Sequence, residues 1–194
     1  KPVKRYLSEQ YRPNEIHLHD FPVFNGKFST NCFIDETAQA IGSMTKKMDV
    51  SFGDYLTRVK AVFAHRPYQR MPETSLGLAY LMYLATAESK SERFEELASI
   101  AGLDPQAIRL EVANQEALSC FENSKAVHAD PYPNLMQLLR VFRDTSEHQE
   151  LVVGKVRLGT DPIKEFGNLY TAALPAWIGA GLEDALEQDL DLVH

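Results

Sequence analysis

Residues Ser91 to Val112, SERFEELASIAGLDPQAIRLEV, spell two helices joined by a tight turn, and their reading sets the fold. Phe94, Leu97, Ala98 and Ala101 recur at i, i+3, i+4 and i+7, the spacing of one helix face. Gly102 permits the left-handed backbone that stops such a helix. Asp104-Pro105 then supplies a capping carboxylate and a residue preset for a first helical turn. Small Ala98 lets the second helix approach, and branched Ile108 locks it onto the first.

Upstream, Leu76 to Ala85 is apolar on nearly every side, so a helix there, capped by Thr74 or Ser75, must be covered all round and predicts the centre of the molecule. Ser51 with Asp54 resembles a capping box, and Tyr55, Val59, Val62 and Phe63 keep a helical period up to His65, where Pro67 ends it. Asp35 can cap a helix whose inner face uses Ala38, Ile41, Met44 and Met48. From Glu15 to Ile34 the pattern reads as extended, with Asn25-Gly26 at the tip of a β-hairpin.

Downstream, the second helix of the opening unit is expected to continue through Cys120 and Phe121, and His128 to Pro133 reads as a loop. Leu135, Leu138, Leu139 and Phe142 form another helical face behind Asn134. Glu150 to Leu158, with LVVGKVRL at its core, reads as a strand, and Gly159 to Asn168 as turns. Pro175 argues against a long helix over Tyr170 to Trp177. From Leu182, Ala185, Leu186, Leu190 and Val193 share one face while Glu183, Asp184, Glu187, Asp189 and Asp191 occupy the rest, an acidic amphipathic helix. The expected architecture is a single helix-rich α+β domain over residues 1–194. It comprises an N-terminal β-hairpin packed on a bundle of about five helices, with a further strand and the acidic helix at the C-terminal end.

The chain has 194 residues, 44% of them hydrophobic, enough to bury a core. Lys and Arg number 20 against 27 Asp and Glu, a formal charge of -7, so the average surface repels polyanions. The densest basic stretches are Lys1 to Arg5 and Thr57 to Arg70. Cys32 and Cys120 lack CxxC spacing and read as buried thiols, usage that suits a reducing, cytoplasm-like compartment. Leu76 to Ala85 is about half the roughly 20 residues that span a bilayer, and no signal peptide is visible, so a soluble protein is expected.

Ala98, Gly102 and Ile108 stand where the helix–turn–helix unit of many DNA-binding modules has its small, turn and branched residues, and the segment resembles that unit. The resemblance implies a DNA-binding regulator in which Gln106 and Arg109, with Asn114 further along, read bases while Lys90 and Arg93 lie near phosphates. Asp104, Glu111, Glu88, Glu92, Glu95 and Glu96 crowd the same unit with negative charge, which disfavours DNA. A second constellation is Glu15, His17 and His19, which alternate onto one strand face as a metal-dependent hydrolase would need. His65, His128, Asp130 and His148 are the distant candidates to complete it. Phosphate-loop, dinucleotide, nucleophile-elbow and zinc-protease motifs do not occur. Glu116 and Glu122 disfavour a Cys120 thiolate. No cofactor is expected.

The preferred expectation is a non-catalytic protein–protein interaction protein, a subunit or adaptor of a larger assembly. Aromatic and arginine residues in turn-like positions supply its candidate partner-binding anchors: Tyr11, Arg12, Tyr68, Arg70, Tyr132 and Trp177. The acidic C-terminal helix suits a basic partner.

Overall fold

The computed structural model describes residues 26–66, 68, 70–114, 132–166 and 169–192, and every regular element among them is helical. Helix α1 is Gly26–Met48, α2 Phe52–Arg58, α3 Met71–Thr86, α4 Ser91–Ile100, α5 Pro105–Ala113 and α6 Pro133–Phe142. Ser146–His148, Gln149–Val153 and Gly154–Val156 follow without a break and form α7, whose middle turn is π-helical. A short α8, Asp161–Phe166, leads through the 3-10 turn Tyr170–Ala172 into α9, Ala173–Glu187. The α+β expectation is therefore corrected: both the hairpin's described arm and the later strand are helices.

The core is built around α3. Leu78 and Leu81 are wholly inaccessible and Leu76, Ala79, Tyr80, Leu84 and Ala85 nearly so, which leaves only Glu73, Met82 and Tyr83 half-buried and Thr86 exposed along the helix. Helices α1, α2, α4, α5, α6 and the middle of α7 all pack on it. Two glycines set how closely. A Cβ on Gly77 would come within 2.8 Å of Leu139 Cδ1, and one on Gly53 within 2.4 Å of the Tyr83 ring. Pro72 is tolerated in the first turn of α3 because the N–H it lacks would have no helical partner.

Each departure from the expected elements has a physical cause. In α1 the buried positions Asn31, Ile34 and Asp35 continue to half-buried Ala38 and Ile41, a helical period hidden because two of its members are polar. Gly26 opens that helix rather than a second strand, and Asn25 and the hairpin's first arm lie outside the described residues. Along 150–158, His148, Val152 and Val156 are buried at i, i+4 and i+8, so the β-branched side chains line a helix face against the core. Tertiary burial overrides their strand preference.

Helix α2 stops at Arg58, short of the expected His65, and 59–66, without regular structure, runs beside the end of α7. Val62 N–H donates to the Lys155 carbonyl at 2.7 Å, Lys155 Nζ to the Val59 carbonyl at 2.5 Å, and buried Arg66 to the Val156 carbonyl at 2.5 Å. These backbone-directed bonds replace those a longer α2 would make. Ser51 does cap α2, with Asp54 N–H donating to Ser51 Oγ at 3.0 Å, and the Ser51 hydroxyl donates to Asp54 Oδ2 at 2.8 Å.

The α4–α5 hairpin has the expected turn. Phe94, Leu97 and Ala98 are inaccessible, Gly102 has φ +66, and Leu103 N–H reaches back to the Ala98 carbonyl at 2.9 Å while Gly102 N–H reaches Ser99 at 3.1 Å. That pair of bonds is a Schellman cap. Asp104 accepts from Gln106 N–H at 3.0 Å and starts α5. Glu111 then works across helices. Its carboxylate accepts from the backbone N–H groups of Asn134 and Leu135, both at 2.9 Å, and from Asn134 Nδ2 at 2.8 Å, capping α6 from the side. Glu147 of α7 likewise joins Tyr80 Oη at 2.5 Å to Arg93 Nε at 2.9 Å. Burial first, and the bond to Glu147 second, push the Tyr80 hydroxyl well above its usual range.

His148 is the least satisfied core side chain. It is 3% exposed, both ring nitrogens lack partners, and its ring meets Phe142 edge-on at 5.2 Å. Burial, and then the neighbouring Arg143 charge, lower its pKa from 6.5, so folding favours neutral imidazole. Stability at this site is intact above the unfolded pKa and is lost as pH falls through the depressed folded value. His148→Phe keeps a ring and removes the unpaired nitrogens. It should flatten the decline in urea midpoint between about pH 7 and pH 5, and equal slopes in the two proteins would refute the assignment. Gly102→Ala meets no atom within 4 Å, so its cost is backbone strain alone. Urea unfolding should show a loss of about 1 kcal/mol.

Candidate interaction surface

Helix α9 carries four rows of side chains at i, i+4 spacing, and neighbouring rows differ sharply in burial. The first row, Ala173, Trp177 and Ala185 at 1%, 3% and 3% exposure together with buried Gly181, faces inward. The second, Leu174, Ile178, Leu182 and Leu186, is 39%, 38%, 49% and 81% exposed. Pro175, Gly179, Glu183 and Glu187, all exposed, form the third. The helix thus has two apolar faces, and the protein covers one. Pro175 is compatible with this helix because it falls in the first turn, where backbone N–H groups have no intrahelical acceptor.

Close approach holds the inner row in place. A Cβ on Gly181 would lie 2.3 Å from the Phe63 ring of the 59–66 segment. One on Gly159 would lie 2.4 Å from the Trp177 carbonyl, and Gly159 also has φ +69. Gly159 N–H donates to Asp184 Oδ2 at 2.7 Å, Arg157 to Gln188 Oε1 at 2.8 Å, and Lys60 Nζ to the Asp191 carbonyl at 2.6 Å. The outward row is therefore displayed on an anchored helix. Phe166 of α8, which packs against α9, adds a side chain that is 68% exposed.

This surface differs from the expected anchors. Trp177 and Tyr132, at 3% and 4% exposure, are core side chains, and Trp177 Nε1 is buried with no hydrogen-bond partner. Tyr68 and Arg70 stand exposed at the amino end of α3. Arg70 is close enough to Arg143 to help lower its pKa, after burial and with Arg140 adding to the effect and Glu73 opposing it. Tyr11 and Arg12 lie outside the described residues, as do Glu15, His17 and His19. Among the described residues no three His, Cys, Asp or Glu side chains converge as a metal site.

The proposed DNA-reading residues divide into two groups. Lys90 and Gln106 are exposed. Arg109 is occupied within its own hairpin: its guanidinium donates to the Ala85 carbonyl at 3.3 Å, to Ser91 Oγ and Glu95 Oε1 at 3.0 Å each, and stands 5.0 Å over the Phe94 ring. Arg93 pairs with Glu147 at 2.9 Å and Glu96 at 2.5 Å. The outer face of α5 is free, yet its centre is Leu110, 71% exposed, so what it presents beside Gln106 is apolar.

Ala185, Leu186 and Leu190, expected to share one face, are divided by burial: Ala185 is 3% exposed, Leu186 and Leu190 are 81% and 41% exposed, and Val193 lies outside the described residues. A neighbouring cleft of about 350 Å³, between α1, α2 and the 59–66 segment, is lined by Phe33, Met44, Tyr55 and Phe63 and carries no charged side chain. No described helix is long and apolar enough to cross a membrane.

Comparison with known proteins found no matching family model, curated protein or solved structure. The two rows of α9 can be separated by stability. Gly181→Ala forces backbone or ring displacement and should cost about 2 kcal/mol in urea unfolding, as overpacked sites do. Leu182→Asp, on the exposed row, should change stability by less than about 0.5 kcal/mol. Equal losses in the two variants would show that both rows are structural.

Proposed function

We propose that this chain is a non-catalytic protein–protein interaction subunit that docks a helical segment of another protein along the outward row of α9. One observation carries the reading: Leu174, Ile178, Leu182 and Leu186 form a continuous exposed apolar line on a helix whose opposite row is held by close contacts. Scattered exposed apolar side chains need no explanation, whereas a contiguous patch marks an interaction site. Completing the burial of side chains already half covered is worth about 1 kcal/mol each, so the row supplies a useful share of a binding free energy. A helix presenting i, i+4 and i+8 anchors matches the geometry of helix-in-groove and helix-on-helix recognition.

Exposed Tyr68 and Arg70 offer a separate contact of the kind interfaces favour. They lie on α3's amino end, so they belong to the reading only where the assembly is large.

Photo-crosslinking in cells tests the proposal directly. A benzophenone amino acid at Leu182 should give one discrete heteromeric adduct, a reporter at exposed Ser99 should not, and Leu186→Asp should suppress the Leu182 adduct at least about fivefold, since a row anchor is typically worth 1 kcal/mol or more. Absence of any adduct from Leu182, with the protein folded and expressed, would sink it.

A further inference from the structure

The charges beside the outward row specify more than its apolar character does. Glu183 and Glu187 are one helical turn apart, both exposed, and follow Leu182 and Leu186 by one residue each, so they border the carboxyl-terminal half of the row. Pro175 and Gly179 occupy the same edge of the amino-terminal half, where a Cβ added to Gly179 would meet no atom within 4 Å. The edge is thus neutral and low at one end, acidic at the other.

Nothing within the described protein accounts for that acidity. Like charges at i, i+4 repel, and carboxylates near a helix carboxyl terminus oppose its dipole. The last turn of α9 carries no basic residue, and among the described residues neither Glu183 nor Glu187 has a hydrogen-bond or ion-pair partner, whereas Asp184, on the next row, is used to hold Gly159. The two carboxylates cost the helix stability in isolation. A cation supplied from outside would relieve both penalties at once.

We infer that the partner segment is a cationic amphipathic helix, with an apolar stripe lying on Leu174, Ile178, Leu182 and Leu186 and Lys or Arg side chains along the flank that meets Glu183 and Glu187. This rests on the proposed docking function and adds the partner's chemistry to it. A second copy of α9 fits less well. Residues 173–192 contain Glu183, Asp184, Glu187, Asp189 and Asp191 and no Lys or Arg, so self-pairing supplies no counter-charge.

Two synthetic amphipathic helices test this, sharing one leucine stripe and differing only in a lysine or a glutamate flank, titrated against the whole chain by fluorescence anisotropy at low ionic strength. The lysine helix should bind at least about tenfold more tightly, because two rim pairs and the repulsion they replace each contribute. At 1 M salt, where the screening length is about 3 Å, the preference should shrink below about threefold. The double variant Glu183→Lys, Glu187→Lys, checked for fold by circular dichroism, should reverse it. Equal binding of both helices, abolished by Leu182→Asp, overturns the charge inference while the docking surface stands. Binding of neither, with a dimer in sedimentation that Leu182→Asp dissociates, makes the occupant a second copy and also overturns it. Binding of neither by a monomeric chain removes both readings.

Discussion

The physical constraint on which the structure depends is that α3 has no polar face. A helix carrying Leu76, Leu78, Ala79, Tyr80, Leu81 and Leu84 around its whole circumference must be enclosed, and the other helices are arranged by that need. Gly77 and Gly53 set the close approaches of α6 and α2 to this helix. Polar joints then fix the relative placement of the surrounding helices. Glu111 ties α5 to the start of α6, Glu147 ties α7 to α3 and α4, and Arg143 of the α6–α7 turn donates to Thr74 of α3 at 2.8 Å. Each of these joins elements distant in sequence, so each helps select one arrangement among the many that would merely cover α3.

Once those joints are made, much of the protein's ionic chemistry is used internally. Arg93 and Arg109, the cations best placed on the α4–α5 hairpin, hold carboxylates and carbonyls of that hairpin and of its neighbours. Taking Arg109 to a base edge would sacrifice three hydrogen bonds and its seat over Phe94. The contrast with α9 is instructive. There, among the described residues, the carboxylates of Glu183 and Glu187 have no partners beside an exposed apolar row, and that combination of unrelieved charge with unburied apolar area is what the proposed docking surface rests on.

Although α5 ends at Ala113, short of the expected Cys120 and Phe121, the turn of the helical hairpin was legible because its signals are local: a face at i, i+3, i+4 and i+7, a glycine at positive φ, and an aspartate before a proline. So was α6, whose Leu135, Leu138, Leu139 and Phe142 are all inaccessible. The elements misread share one cause. Asn31 and Asp35 sit in the buried face of α1, and Val152 and Val156 sit in the buried face of α7, so polarity in one case and β-branching in the other concealed a helical period. Local preference is worth tenths of a kcal/mol per residue, and enclosure of a core face outweighs it.

For this protein the amino-acid order by itself determined that a wholly apolar helix would lie at the centre, where several of its neighbours begin and end, and that the carboxyl-terminal helix would be acidic. The tertiary structure decided which of that helix's two apolar rows would be covered. Both rows repeat at i, i+4, and the hydrophobic pattern favours the larger side chains of Leu174, Ile178, Leu182 and Leu186 for burial. What reversed the choice was space: the contact with Phe63 and the Gly159 turn admits only the row that contains Gly181, and so the bulkier row was left facing outward.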